Sequence, residues 1–194
     1  MELPLFPLQT VLFPGARLSL RIYEQRYLDM VRECTRNEQG FGVICAWPAN
    51  EGTHSRHARI GTEAVIVDFS TLEDGLLGLQ CEGRRRFRIG RTQARENGLL
   101  IGNVDWMPPE PGVAVPARFS ILQTLMQELL RHRETATGIH VDLDDAGDLG
   151  RCLASMLPLP IDHAQALLEM TDPVARLEGI ISLLQETEPD EDGQ

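Results

Sequence analysis

Apart from one helical stretch, the apolar residues of this chain follow strand patterns as far as residue 106, and they follow a helical period after residue 112. Leu18, Leu20 and Ile22 alternate with Arg17, Ser19 and Arg21, which is the two-residue period of a strand with one buried face. Beyond MPPEPG, residues 107–112, Phe119, Leu122, Met126 and Leu129 share one helical face, and Val174, Leu177, Ile181 and Leu184 do so again. A chain with two periods has two kinds of surface to bury, so the expected class is α+β. The expected parts are a β-rich subdomain over 1–112, a helical subdomain over 113–186 and a disordered acidic tail over 187–194, since ETEPDEDGQ, which begins at Glu186, offers nothing to bury.

Within the β-rich part, Tyr27, Met30, Val31 and Cys34 recur at helical spacing, and Asn37 to Gly40 closes that single inserted helix. Phe41 to Trp47 is a short apolar run bounded by glycine and proline, the pattern of a buried strand, and Asn50 to Arg59 reads as an exposed loop. Gly61–Leu72 and Leu76–Glu82 flank Glu73-Asp74-Gly75, a hairpin signal, and Asn97-Gly98 signals a second before Leu99–Trp106. Strands joined by tight turns imply an antiparallel sheet that closes, or nearly closes, on itself. In the helical part, Leu149–Leu157 and His163–Met170 add two shorter helices to the pair above. Asp172-Pro173 supplies an N-cap and a first-turn proline, giving four helices.

Charge and composition exclude several kinds of chemistry. Residues 1–118 hold 14 arginines against 14 acidic residues, and residues 119–194 hold four against 15, so the net charge of −11 lies wholly in the helical part. Non-specific binding of that part to polyphosphate is disfavoured. All 18 basic residues are arginine. Without lysine the chain can build neither a P-loop, a Ser-Lys dyad nor a Schiff base. Cys34, Cys45, Cys81 and Cys152 form no C-x-x-C pair. Glu2 stands where a signal peptide would be positive, prolines break MELPLFPL, and no apolar run approaches the roughly 18 residues of a membrane span. The expectation is a cytoplasmic protein with reduced thiols and no membrane association.

The order ELPLFPLQTVLFPGARLSLRIYEQRYLDMVREC, then FGVI, then IGTEAVIVDFSTLEDGLLGLQCEGRRRFRI resembles the N-terminal domain of the ATP-dependent Lon protease. DLGRCLASMLPLPIDHAQALLEMTDPVARLEGIISLL is similar to the helical part of the same domain, so the likeness runs from Glu2 to Leu184. It implies an N-terminal antiparallel PUA-like pseudobarrel with one inserted helix, followed by a C-terminal four-helix bundle. It further implies a free-standing, non-catalytic substrate-binding domain whose partners are unfolded or exposed segments of other proteins, or a protease or chaperone. The family offers no catalytic residues, cofactor or metal to carry over. Because PUA-like barrels also bind RNA, the alternative is an RNA-binding barrel.

That alternative turns on CEGRRRFRIGR, residues 81–91. As a strand, Arg84, Arg86 and Arg88 point to one face, and Arg85, Phe87 and Ile89 to the other. Phe87 and Ile89 are expected in the core, with the arginine face meeting water or the acidic helical part in a structural, bridging role. Arginine suits this because its planar fork pairs two ways with carboxylates. Nearby Glu82 and Glu96 weigh against RNA. His54 and His57 have H-x-x-H spacing without further ligands, and the run from Asp142 fails a calcium loop at Ala146 and Leu153. One of Asp144, Asp145 and Asp148 is expected to cap the next helix instead. The remaining candidates form a protein-binding surface. They are Phe6, Phe13, Trp47 and Trp106, aromatic residues near strand ends or loops whose competing role is core packing.

Overall fold

A computed structural model of the chain describes residues 1–48, 56–132 and 141–187. They form two compact units, Met1–Pro109 and Glu110–Gln194. The first contains β1 (Glu2–Leu8), β2 (Arg17–Ile22), α1 (Gln25–Arg36), β3 (Phe41–Trp47), β4 (Arg56–His57), β5 (Ile60–Thr71), β6 (Leu77–Ala94) and β7 (Leu100–Trp106). The second contains α2 (Ser120–His132), entered through a 3-10 turn at Ala117–Phe119, then α3 (Ala146–Met156), α4 (Ile161–Glu169) and α5 (Pro173–Thr187).

The strands form one sheet in the order β1-β7-β6-β5-β3-β4, with β2 on β6 and a further pairing of β1 with β3 that returns the path to its start. Every pairing is antiparallel except β1–β3, which is parallel. The Pro-broken start is thus a strand. Glu2–Leu5 pair with β7 and Leu5–Leu8 pair with β3, overlapping only at Leu5. Each half of β1 therefore needs backbone donors on one side only, and Pro4 and Pro7 fit where a fully two-sided strand would reject them.

The turns follow their glycines. Gly75 and Gly98, in the two hairpins, have φ near +80°, a region that only glycine enters without steric cost. Between the hairpins, β6 runs unbroken for 18 residues. Gly83 in its middle exchanges backbone bonds with Gly15 and Ala16, at 2.9 Å each, so that the β1–β2 connection crosses the strand. A Cβ at that position would stand 2.3 Å from the Phe13 carbonyl oxygen. The polar stretch expected as a loop is described only from Arg56, where β4 pairs with the end of β3; His54 lies outside the described residues.

Two apolar clusters fill the unit. Tyr27, Met30, Val31 and Cys34 of α1 pack with Phe41, Leu79 and Cys81, and Phe87, Ile89 and Val104 pack with Leu3, Leu5 and Ile44. Burial pushes the thiols of Cys34 and Cys81 up to about 11, because a thiolate loses its solvation there. None of the four cysteines is in a disulfide.

In the second unit the expected α5 stripe is displaced by one residue at its far end. Leu177 and Ile180 are fully buried and Ile181 and Leu184 only half-buried, since the buried face is set by Arg176 as well as by apolar residues. Arg176, 1% exposed, donates from Nη1 and Nη2 to the two carboxylate oxygens of Glu110 at 2.9 and 2.5 Å. Its Nε and Nη2 also donate to the carbonyls of Leu167 and Met170 at 3.0 and 2.6 Å. Arg151 closes on the same Glu110 and on Asp148. The residue at the head of the unit is thereby fixed to α3, α5 and the end of α4. Asp145 caps α3, accepting from Asp148 N at 2.9 Å and from Val113 N at 3.1 Å, and Asp172 caps α5 through Val174 N at 2.9 Å. Thr187 ends α5, and residues 188–194 lie outside the described residues.

Candidate functional site

The arginine strand divides by environment. Arg84 is exposed and lies 3.5 Å from Glu82 of its own strand. Arg85 meets Glu63 at 3.1 Å and stacks 3.9 Å from the Trp106 ring. Arg86 is buried at 6% exposure, unlike Arg84 and Arg88, so the three even-numbered arginines do not form one solvated face. Phe87 and Ile89 are in the core. Further along, Arg95 forms a two-pronged pair with Glu33 at 2.7 and 3.2 Å, which holds the Glu33 carboxyl below its usual range. Several of the basic groups that raised the question of RNA are thus engaged with carboxylates or aromatic rings of the protein.

The four aromatic candidates are not brought together. Phe6 is buried, stacked 4.1 Å from Tyr27 and tilted against Phe41. Phe13 is 1% exposed. Trp47 is half-buried under Arg56, 4.4 Å from its ring, and Trp106 is half-buried between Arg85 and Phe87, whose ring stands perpendicular to its own. Among the described residues no group of three or more His, Cys, Asp or Glu is placed to hold a metal ion. Among the described residues no helix is long and apolar enough to cross a membrane.

Two surface recesses of the first unit have largely apolar side chains along them. One, of about 500 Å³, is bordered by Phe6, Pro7 and Leu8 of β1, by Leu20 of β2, and by Tyr23, which is 68% exposed. The other, of about 430 Å³, is the more apolar. It lies between α1, which contributes Arg32 and Arg36, and the β5–β6 hairpin, which contributes Ile66, Phe69, Leu77 and Leu79.

Phe69 owes its place to a break in the strand period. In β5, Ile66 pairs with Cys81, Asp68 with Gln80 and Phe69 with Leu79, a register shift of one residue between Ile66 and Asp68. Leu79 and Cys81 are two apart and share the buried face. The bulge therefore brings Ile66 and Phe69, three apart, onto that same face. Phe69 points to the side that α1 covers lower down, yet it remains 67% exposed. An aromatic residue on the inner face of a sheet, left open beside an apolar recess, is the form of a protein-binding surface. Strand reasoning missed it because strict alternation from Ala64 and Ile66 puts Asp68 on the core face. That conflict is the signal that could have located the bulge.

Residues 2–186 match the family described as the ATP-dependent protease La (LON) substrate-binding domain. Lon protease 2 of Myxococcus xanthus is 28% identical over 193 residues, which take in 94% of this chain and 23% of that protein. The Lon protease of Anaeromyxobacter dehalogenans is 26% identical over 197 residues, with the same two shares. The chain thus spans about a quarter of the length of these relatives. Among solved structures, a Lon N-terminal domain protein from Xanthomonas campestris aligns with a TM-score of 0.79 at 38% identity, over 94% of this chain and 98% of that one. The N-terminal domain of a Mycobacterium avium complex Lon protease aligns at 0.66 and 18% identity, over 97% and 100%, a likeness of fold alone. The shared fold is mixed, a largely antiparallel sheet with five α-helices.

Proposed function

We propose, from the fact that this chain belongs to the ATP-dependent protease La (Lon) substrate-binding domain family, that it is a non-catalytic module that binds exposed apolar segments of other proteins. The observation that carries this is Phe69, 67% exposed on the inner face of β5 beside an apolar recess. A folded chain shields its apolar groups, whereas an unfolded one presents them, so a recess of this kind distinguishes the two by burial alone. The circuit of strand pairings supports a PUA-like pseudobarrel for residues 1–112 with α1 inserted, and the four helices of 113–186 support a bundle. No cofactor enters the binding step, and four cysteines outside any disulfide suit a reducing, cytoplasmic compartment. A protease or chaperone acting on the captured protein completes the role.

The test is binding of a permanently unfolded model protein and of its folded form, followed by fluorescence anisotropy with the full chain and with Phe69→Ser. Full burial of a phenylalanine is worth about 1.5–3 kcal/mol, so covering this ring contributes roughly tenfold in affinity. The expected result is preference for the unfolded form and a loss of about that size in the variant, with an unchanged circular dichroism spectrum. Equal binding of the folded and unfolded forms would sink the proposal.

A further inference from the structure

The recess lies against an unpaired strand edge, and its charged lining is of one sign. From Ile66 to Thr71, β5 is laddered to β6 on one side, and its pairing with β3 ends at Ala64, so among the described residues its other edge has no ladder partner. That edge carries no proline and no basic residue, the usual means of blunting an open strand. It has the bulge, and the Asp68 carboxylate accepts from the Phe69 N–H at 2.8 Å. The charged residues lining the recess are Arg32 and Arg36, with no carboxylate among its lining groups. Arg32 is held by Asp29 at 3.1 Å. Arg36 forms no ion-pair contact among the described residues, and Glu33, whose carboxyl feels its charge, is itself taken by Arg95.

We propose that the occupant of this recess is an extended segment that is both apolar and acidic. It adds as a further strand to the free edge of β5, sets an apolar side chain against Phe69 and a carboxylate against Arg36. The inference rests on the protein-binding reading above and narrows it in two ways. Backbone hydrogen bonds along the edge supply affinity that does not depend on sequence, while the inner-face side chains select. The unopposed arginine then favours anionic over cationic segments by complementarity.

The experiment uses the full chain and three labelled peptides of about six residues, the length of an ordinary strand. They have identical apolar positions, with glutamate, glutamine or arginine at the charged one, and the glutamate peptide is also made with alternate amides N-methylated along either edge. The expected order is glutamate, glutamine, arginine, each step roughly fivefold or less, because the arginine is exposed. Arg36→Glu should invert the order. Methylation of one edge should abolish binding, and methylation of the other should leave it intact. Equal binding of the three peptides would overturn the charge selection, and tolerance of methylation on both edges would overturn strand addition. Either result leaves capture of unfolded protein by Phe69 standing. If no peptide binds while the unfolded protein does, the strand proposal falls alone; if neither binds, the underlying reading falls with it.

Discussion

Replacing Glu110 by alanine should unfold or nearly unfold the helical unit, although the residue is polar and lies outside every helix. The side chains of Glu110 and Arg176 are 6% and 1% exposed, and they share two hydrogen bonds at 2.9 and 2.5 Å. Removing the carboxylate leaves a guanidinium buried with only the carbonyls of Leu167 and Met170, and Arg151 retains only Asp148 of its two carboxylates. Breaking one side of a buried ion pair costs about 3–5 kcal/mol, because the remaining charge keeps its desolvation cost without its partner. For a unit of this size each kcal/mol moves the midpoint by about 4–8 °C, so a fall of roughly 15 °C or more is expected. The assay is thermal and urea unfolding followed by far-ultraviolet circular dichroism. Glu110→Leu with Arg176→Met should recover much of the loss, since an apolar pair of similar volume needs no compensating charge. A single-variant loss below about 1 kcal/mol, the range of an exposed ion pair, would refute the view that this pair is desolvated and holds the unit together.

The remaining predictions concern smaller features. Gly83→Ala places a methyl group 2.3 Å from the Phe13 carbonyl oxygen. Backbone must shift on both sides, so a loss of about 1–3 kcal/mol is expected in urea titration, and a neutral result would deny the crossing. Asp145→Ala removes the acceptor of both Asp148 N and Val113 N and should lower stability by about 1 kcal/mol, with faster amide exchange at both positions. Iodoacetamide at pH 8 should label half-buried Cys152 in the native chain well before Cys34 and Cys81, resolved by peptide mass spectrometry. Raised thiol values in the folded state also set a sign for stability. Their contribution is whole below the ordinary value of 9.0 and is lost as pH rises towards about 11, where the unfolded chain ionises and the native one resists. Rising urea midpoints over that range would contradict the burial.

What the sequence determined by itself lies in features that act over a few residues. Phe41–Trp47 is a strand at the boundaries its flanking glycine and proline suggest, the hairpins turn at Gly75 and Gly98, and Asp145 and Asp172 cap the helices that follow them. Each depends on a local conformational preference that the residue carries with it. Three things depended on the tertiary structure. β1 is a strand despite two prolines, because its partners β3 and β7 each take only one half. Arg176 sits on the buried face of α5 because a carboxylate 66 residues earlier meets it there. Phe69 reaches the open recess because β6 accepts a one-residue slip from β5. None of these has a local cause: each is a pairing between distant segments, and a pairing alters which side of an element is inside without altering the residues that compose it.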